Sequence, residues 1–372
     1  MGEEFDRMQA LTIGFEEEFL LVDAEGRPVP EFDAVCGWLT DKLEAADSAR
    51  FKPELQLTQI ETISGIHTSM TALASELRSA RATLAAAGDA CAVSVLPVGT
   101  APHPIADDTP LPDSGRYARI HDRYRGMLRE YTACGAHVHI GVADPDRAVA
   151  VVNHLRPWLP TLLAVGVNSP FHHGRDSGYG SWRIAEQTRF PGAGLPPYAR
   201  SADDYDARIA TLLECGTLVD DHMSFWLARP SKVYPTVEVR AADTAATVDD
   251  AILQAVLTRG LVQTALNKLD EGVEGPRIDD QVGAAAIWAA ARYGLAGPAV
   301  DPIEEIRVPA ILLLRSLVTW IADALTATDD TALAKRLLRN VERHGTGAAR
   351  QRRAAQPGLR HLVDAFRLTS WS

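Results

Sequence analysis

Three consecutive glutamates, Glu16, Glu17 and Glu18, interrupt an otherwise apolar run from Leu11 to Val22. The run has β character and closes at the turn-like Asp23-Ala24-Glu25-Gly26. Side chains alternate across a strand, so Glu16 and Glu18 share one face. Phe15, Phe19 and Leu21 help fill the core around Glu17. Neighbouring carboxylates repel unless a cation sits between them. Oxygen donors of this kind suit a hard divalent ion, Mg²⁺ or Mn²⁺. A solvated edge strand with surface glutamates is the alternative.

Three further segments carry the same kind of pattern. In Gly135-Ala136-His137-Val138-His139-Ile140-Gly141, the two histidines share a strand face that can converge on one ion, or they are hydrogen-bonded core residues. In Thr236-Val237-Glu238-Val239-Arg240, the carboxylate and guanidinium share a face. They form a salt bridge, or they work on phosphate, with Glu238 on a metal and Arg240 on the transferring phosphoryl group. Glu54 and Glu61 are seven residues apart, so one flat strand would separate them and only a turn or bulge brings them together. Together these residues make the inventory of a two-metal phosphoryl-transfer site.

Bulk properties exclude several classes. A chain of 372 residues can bury a sizeable core. Its net charge of -12 opposes non-specific nucleic-acid binding and adsorption to an anionic membrane. The first ten residues hold no apolar core of a secretory signal. Ala310–Thr328 contains Arg315 and Asp323 and is read as a buried helix rather than a membrane span. Cys36, Cys91, Cys134 and Cys215 are scattered, which argues against disulfides and a cysteine-rich zinc site. A reduced, cytoplasmic enzyme is expected. The sequence contains no P-loop and no GxGxxG turn opening a helix.

Patterning predicts strands at Leu55–Ile63, Ala92–Val98, His137–Val142 and Thr236–Val239. Helices are predicted at Ser69–Ala87, closed by Gly88, at Asp113–Glu130, and at Ala202–Cys215. Pro145–Val167 is predicted as one long helix bent by Pro157 and Pro160. Pro102–Pro112 is a proline-rich loop. Asn168–Pro197, rich in Gly, Pro, Ser and His, is too long for a plain connector; it is a structural loop or a functional lid. The pattern implies α+β, with a strand-rich core over about 10–245 and a mostly helical remainder over 246–372. Residues 1–372 are read as one catalytic domain.

At GFEEEFLLVD (14–23), ELQLTQIET (54–62), CGAHVHIGVADPDRAV (134–149), NSPFHHGRDSGYGSWR (168–183), RPSKVYPTVEVRAADT (229–244) and ARYGLAG (291–297), the chain resembles the carboxylate–amine ligases, specifically the glutamate–cysteine ligase type 2 group. The resemblance implies a glutamine-synthetase-like domain whose antiparallel sheet curves into a funnel with helices outside. It implies metal ligands at Glu16, Glu18, Glu54, Glu61, His137 and Glu238. Glu16, His137 and Glu238 would hold the ion bridging the ATP phosphates, and Glu18, Glu54 and Glu61 the ion nearer the substrate carboxylate. Arg240 would contact the γ-phosphate, with His139 and Arg183 as further substrate or phosphate contacts. The implied reaction is ATP-dependent and forms a γ-glutamyl amide through an acyl phosphate.

The chain departs from the group at Ala284-Ala285-Ala286-Ile287-Trp288-Ala289-Ala290, where polar residues usually flank the tryptophan. That departure supports an inactive binding homologue as one alternative. A guanidino-kinase-like phosphotransferase and a metal-dependent hydrolase are the others. The acceptor amine is not legible from these residues, and a homodimer is the base-rate expectation.

Overall fold

The computed structural model describes residues 12–48, 50–107, 109–110 and 115–369. The expectation concerning a signal at the first ten residues lies outside them. Seven strands form one antiparallel sheet: β1 (Ile13–Val22), β2 (Phe51–Pro53), β3 (Gln59–Ile63), β4 (Ser94–Leu96), β5 (Gly135–Gly141), β6 (Ala228–Pro230) and β7 (Thr236–Asp243). Their order is β6-β7-β5-β1-β3-β2, and β4 pairs with the second half of β1 on the edge that β5 uses in the first half.

The two faces of β1 have different fates. Phe15, Glu17 and Phe19 point into packed helices, and Glu17 is fully buried. A buried charge persists only when paired. Its partner is Arg81, on the helix Met70–Ala90, which donates Nε to one carboxylate oxygen at 3.1 Å and Nη2 to the other at 2.5 Å. On the same side, Val138, Ile140, Val237 and Val239 pack with helices Pro145–Leu155, Leu159–Gly166 and Val248–Asp270. The last of these begins at a Thr247/Asp250 capping box. The α+β expectation therefore holds, with the second sheet face left for polar side chains.

Several boundaries differ from expectation. Leu55–Ile63 is not one strand: residues 54–58 turn, and β3 starts at Gln59. The helix from Met70 continues past Gly88 to Ala90, because glycine there lets the returning chain close in; a Cβ would lie 2.7 Å from the Val93 carbonyl oxygen. Asp113–Glu130 breaks at Arg125, whose φ is 52°, into Gly115–Tyr124 and Gly126–Arg129. Pro145–Val167 is split rather than bent: Arg156 keeps helical dihedrals and still bonds Val152, but Pro157 has no N–H to carry the ladder on, residues 156–158 turn, and Pro160 sits in the first turn of the second helix. Ala92–Val98 contributes only three strand residues, while the strand at Thr236 extends to Asp243 through an irregularity after Val239.

Beyond residue 246 the described residues form helices and their connections, with one hairpin, Pro298–Asp301 with Ile306–Pro309. Ala310–Thr328 forms two helices, Ala310–Trp320 and Ala322–Ala327, that are amphipathic rather than buried. Among the described residues no helix is long and apolar enough to cross a membrane.

Asn168–Pro197 has structure of its own. It contains the pair Phe171–His172 with Arg175–Asp176 and the helix Trp182–Gln187. Asp243, fully buried at the end of β7, accepts hydrogen bonds from Asn168 N, Ser169 Oγ and Ser181 Oγ, each at 2.7 Å. These bonds tie the segment down as a strap against the sheet.

Candidate active site

The open face of the sheet carries the acidic and basic residues in facing pairs. Register places Glu16 opposite His137, Glu18 opposite Glu61, and Glu238 opposite His139. Glu54 follows β2, and the turn at 54–58 returns the chain so that Glu54 and Glu61 line the same cavity. This cavity, of about 200 Å³, is lined by Glu16, Glu18, Glu54, Glu61, His137, His139, Glu238 and Arg240, with Arg116, Tyr117, Arg229 and Tyr234 among the other walls.

Contacts within the cluster are short. His137 Nδ1 lies 3.1 Å from Glu16 Oε2, and its Nε2 lies 3.5 Å from Glu18 Oε1. His139 Nε2 lies 3.3 Å from Glu16 Oε1, and Thr236 Oγ1 is 3.0 Å from its Nδ1. Arg240 pairs with Glu238 and approaches His137 Nδ1 at 3.3 Å. Glu18 accepts the Gly135 amide at 2.5 Å.

Burial acts on every member, and its neighbours decide the outcome. Burial raises Glu16, but hydrogen bonds with His137 and His139 outweigh it and hold the carboxyl low. Burial likewise raises Glu238, yet Arg229 and Arg240 pull it well below its usual value. Glu18 and Glu61 are pushed up by burial, Glu61 further by the charge on Glu16. Glu54 is pushed up to about 8 by burial and by Glu18. Burial and then Arg240 lower His137 to about 4, leaving a neutral imidazole. His139 is raised, because its contact with Glu16 overcomes burial.

Three carboxyls pressed toward the protonated form show a charge deficit. A divalent cation would correct it. Two sets of ligand atoms lie close enough to hold one: Glu16, His137 and Glu238, and Glu18, Glu61 and His137. His137 Nε2 is buried without a hydrogen-bond partner, as a ligand nitrogen would be.

Arg183 does not line the cavity. It is 1% exposed and lies beneath the cluster, donating Nη2 to the Arg240 carbonyl at 3.1 Å, with Nη1 3.8 Å from Asp243. A Cβ on Gly135 would sit 2.5 Å from Arg183 Nη2, so glycine there makes room for it. The strap 168–197 contributes no lining residue to this cavity, and its ties to buried Asp243 favour the structural loop of its two readings.

Arg229 escaped sequence reasoning. It stands opposite Glu238 in the register and grips it with Nε and Nη2 at 2.7 and 3.2 Å. Folding 228–239 about the turn before Thr236 would have paired them. Arg116, bidentate to Asp220 at 2.6 and 3.0 Å, was also missed, and its partner is 104 residues away. The alanine-rich stretch 284–290 lies on the helix Asp280–Tyr293; it lines a second cavity and not the first.

A family model described as glutamate–cysteine ligase family 2 matches residues 12–365. A Saccharopolyspora erythraea protein, provisionally named glutamate–cysteine ligase 2-2, is 47% identical over 349 residues, covering 94% of this chain and 89% of that protein. The glutamate–cysteine ligase of Francisella tularensis in complex with AMP superposes with a TM-score of 0.71 at 14% identity, covering 95% of this chain and 87% of that one. The ligase PafA, solved with the ubiquitin-like protein Pup, gives 0.54 at 14% identity, covering 97% and 73%. At such identities the structural likenesses bear on fold, and the fold is that of the glutamine-synthetase-like ligases.

Proposed function

The chain belongs to glutamate–cysteine ligase family 2, and from that premise we propose that it is an ATP-dependent ligase joining the γ-carboxyl of glutamate to an amino-acid amine. Cysteine is the acceptor for which its relatives are named. The observation that carries this reading is the facing of a carboxylate cluster and Arg240 within one cavity. In the reading, residues 1–372 act as one catalytic unit.

The γ-carboxylate of glutamate attacks the γ-phosphorus of ATP, ADP leaves, and the amine then displaces phosphate from the acyl carbon with loss of a proton. Divalent ions held by Glu16, His137 and Glu238, and by Glu18, Glu54 and Glu61, would screen the anionic charges that otherwise keep the two substrates apart. Arg240 offsets charge on the transferring phosphoryl group. Glu238 and His137 fix where its guanidinium points, and Arg183 holds the backbone of Arg240 from below. Arg229 keeps Glu238 ionised and oriented. Neutral His137 retains a lone pair for a metal.

The test is product analysis by mass spectrometry after incubation with ATP, Mg²⁺ and glutamate across a panel of amino acids and amines that includes cysteine. A γ-glutamyl amide with one acceptor supports the proposal. ADP formation without any amide, or none across the panel, contradicts it.

A further inference from the structure

The second cavity, of about 510 Å³, shares a wall with the first: Phe225 lines the carboxylate cavity and the next residue, Trp226, lines the other. Its lining is mostly apolar, with Leu195, Trp226, Ile287 and Trp288 among the walls, and Asp280 is the only charged lining residue among the described residues. Trp288 is 51% exposed and held by donation from Nε1 to Tyr179 Oη at 3.2 Å. The wall is closely built, since a Cβ on Gly283 would meet Leu195 Cδ2 at 2.6 Å. An open, mostly apolar space of this size with one charged residue at its rim has the character of a small-molecule site, and a half-covered tryptophan has apolar area for a ligand to bury. Asp280 is 81% exposed, and Arg156 bonds one of its oxygens at 2.6 Å, so its carboxylate reaches the solvent side while held in place.

We propose that this cavity is a ligand site separate from the carboxylate cluster, for a small aromatic amine whose rings lie against Trp226 and Trp288 and whose ammonium meets Asp280. The site does not depend on the ligase reading, and its test uses binding alone.

The probe is 4-phenylbenzylamine, titrated into the full chain by calorimetry and by tryptophan fluorescence, with and without saturating Mg²⁺·ATP. Saturable binding is expected, unchanged by the nucleotide. Asp280→Asn should weaken it about fivefold or more by removing a charged hydrogen-bond acceptor. Ala284→Phe, at an exposed position on the cavity wall, should do the same by filling space. The proposal is overturned by an absence of saturable binding, by wild-type affinity in either variant, or by equal affinity for the carboxylate 4-phenylbenzoate. Displacement by Mg²⁺·ATP would overturn it too, because the cavity would then belong to the nucleotide site.

Discussion

Glu238 on β7 is clasped from both sides: Arg229, directly opposite on β6, holds both carboxylate oxygens, and Arg240, two residues along the same strand, pairs with one of them. The carboxylate is thereby ionised in a site where burial would otherwise protonate it. Removing it leaves two guanidinium groups without their shared partner. Glu238→Ala should lower turnover about a hundred- to a thousandfold, the scale of losing one electrostatic element of a transition state, and should also lower the thermal midpoint. Glu238→Gln should recover part of the stability and little of the turnover. Steady-state phosphate release and a melting scan distinguish the two effects.

Glu54 is pushed up to about 8 by burial and by Glu18, so in the proposed reading it carries a proton at neutral pH that a bound cation would expel. Mg²⁺ binding to the protein alone should therefore release protons at pH 7 and tighten as pH rises toward 8. Calorimetry in buffers of different ionisation enthalpy reads the proton count. An enthalpy independent of buffer would contradict the arrangement of carboxyls.

Glu186, buried on the strap's own helix and outside the cluster, is also pushed up to about 8, chiefly by burial. Its folded value lies above its ordinary 4.5, so between those values the folded chain holds a proton that the unfolded chain has lost. Stability must then fall as pH rises through that window, by at most about 1.4 kcal/mol per pH unit from this group. Glu186→Gln should flatten the fall, as read from denaturation midpoints at pH 5 and about pH 8.

The Glu17–Arg81 pair sits on the packed face of β1. Arg81→Met should cost roughly 3–5 kcal/mol by stranding a buried carboxylate. Adding Glu17→Gln should return part of that loss. Neither change touches the cavity, so Mg²⁺ affinity of the folded protein should hold.

Gly135→Ala should cost about 1–3 kcal/mol, since its Cβ meets Arg183. In the double variant with Arg183→Ala the two losses should not add. Additive losses would show that the close approach is of no consequence.

The faces of β1, β5 and β7 were readable because a strand alternates with period two, and that rule alone groups Glu16 with Glu18, His137 with His139, and Glu238 with Arg240. Distant pairings were not readable. Arg116 meets Asp220, and Arg183 lies under Arg240, through tertiary packing that leaves no local period. Glu54 and Glu61 needed the turn at 54–58, which their spacing demanded without locating it. The long helix expected at Pro145–Val167 shows the reverse error: its apolar pattern runs through Pro157, and the backbone does not follow. The strap was read from composition as a possible lid, and the buried Asp243 that fastens it could not be known before the strands were placed.

The most direct measurement of the central claim follows oxygen. Glutamate labelled with heavy oxygen in its γ-carboxyl is incubated with the protein, Mg²⁺·ATP and the acceptor amine, and the released phosphate is weighed by mass spectrometry. Passage through an acyl phosphate moves one labelled oxygen into each phosphate formed. Unlabelled phosphate, or no phosphate, would contradict the account.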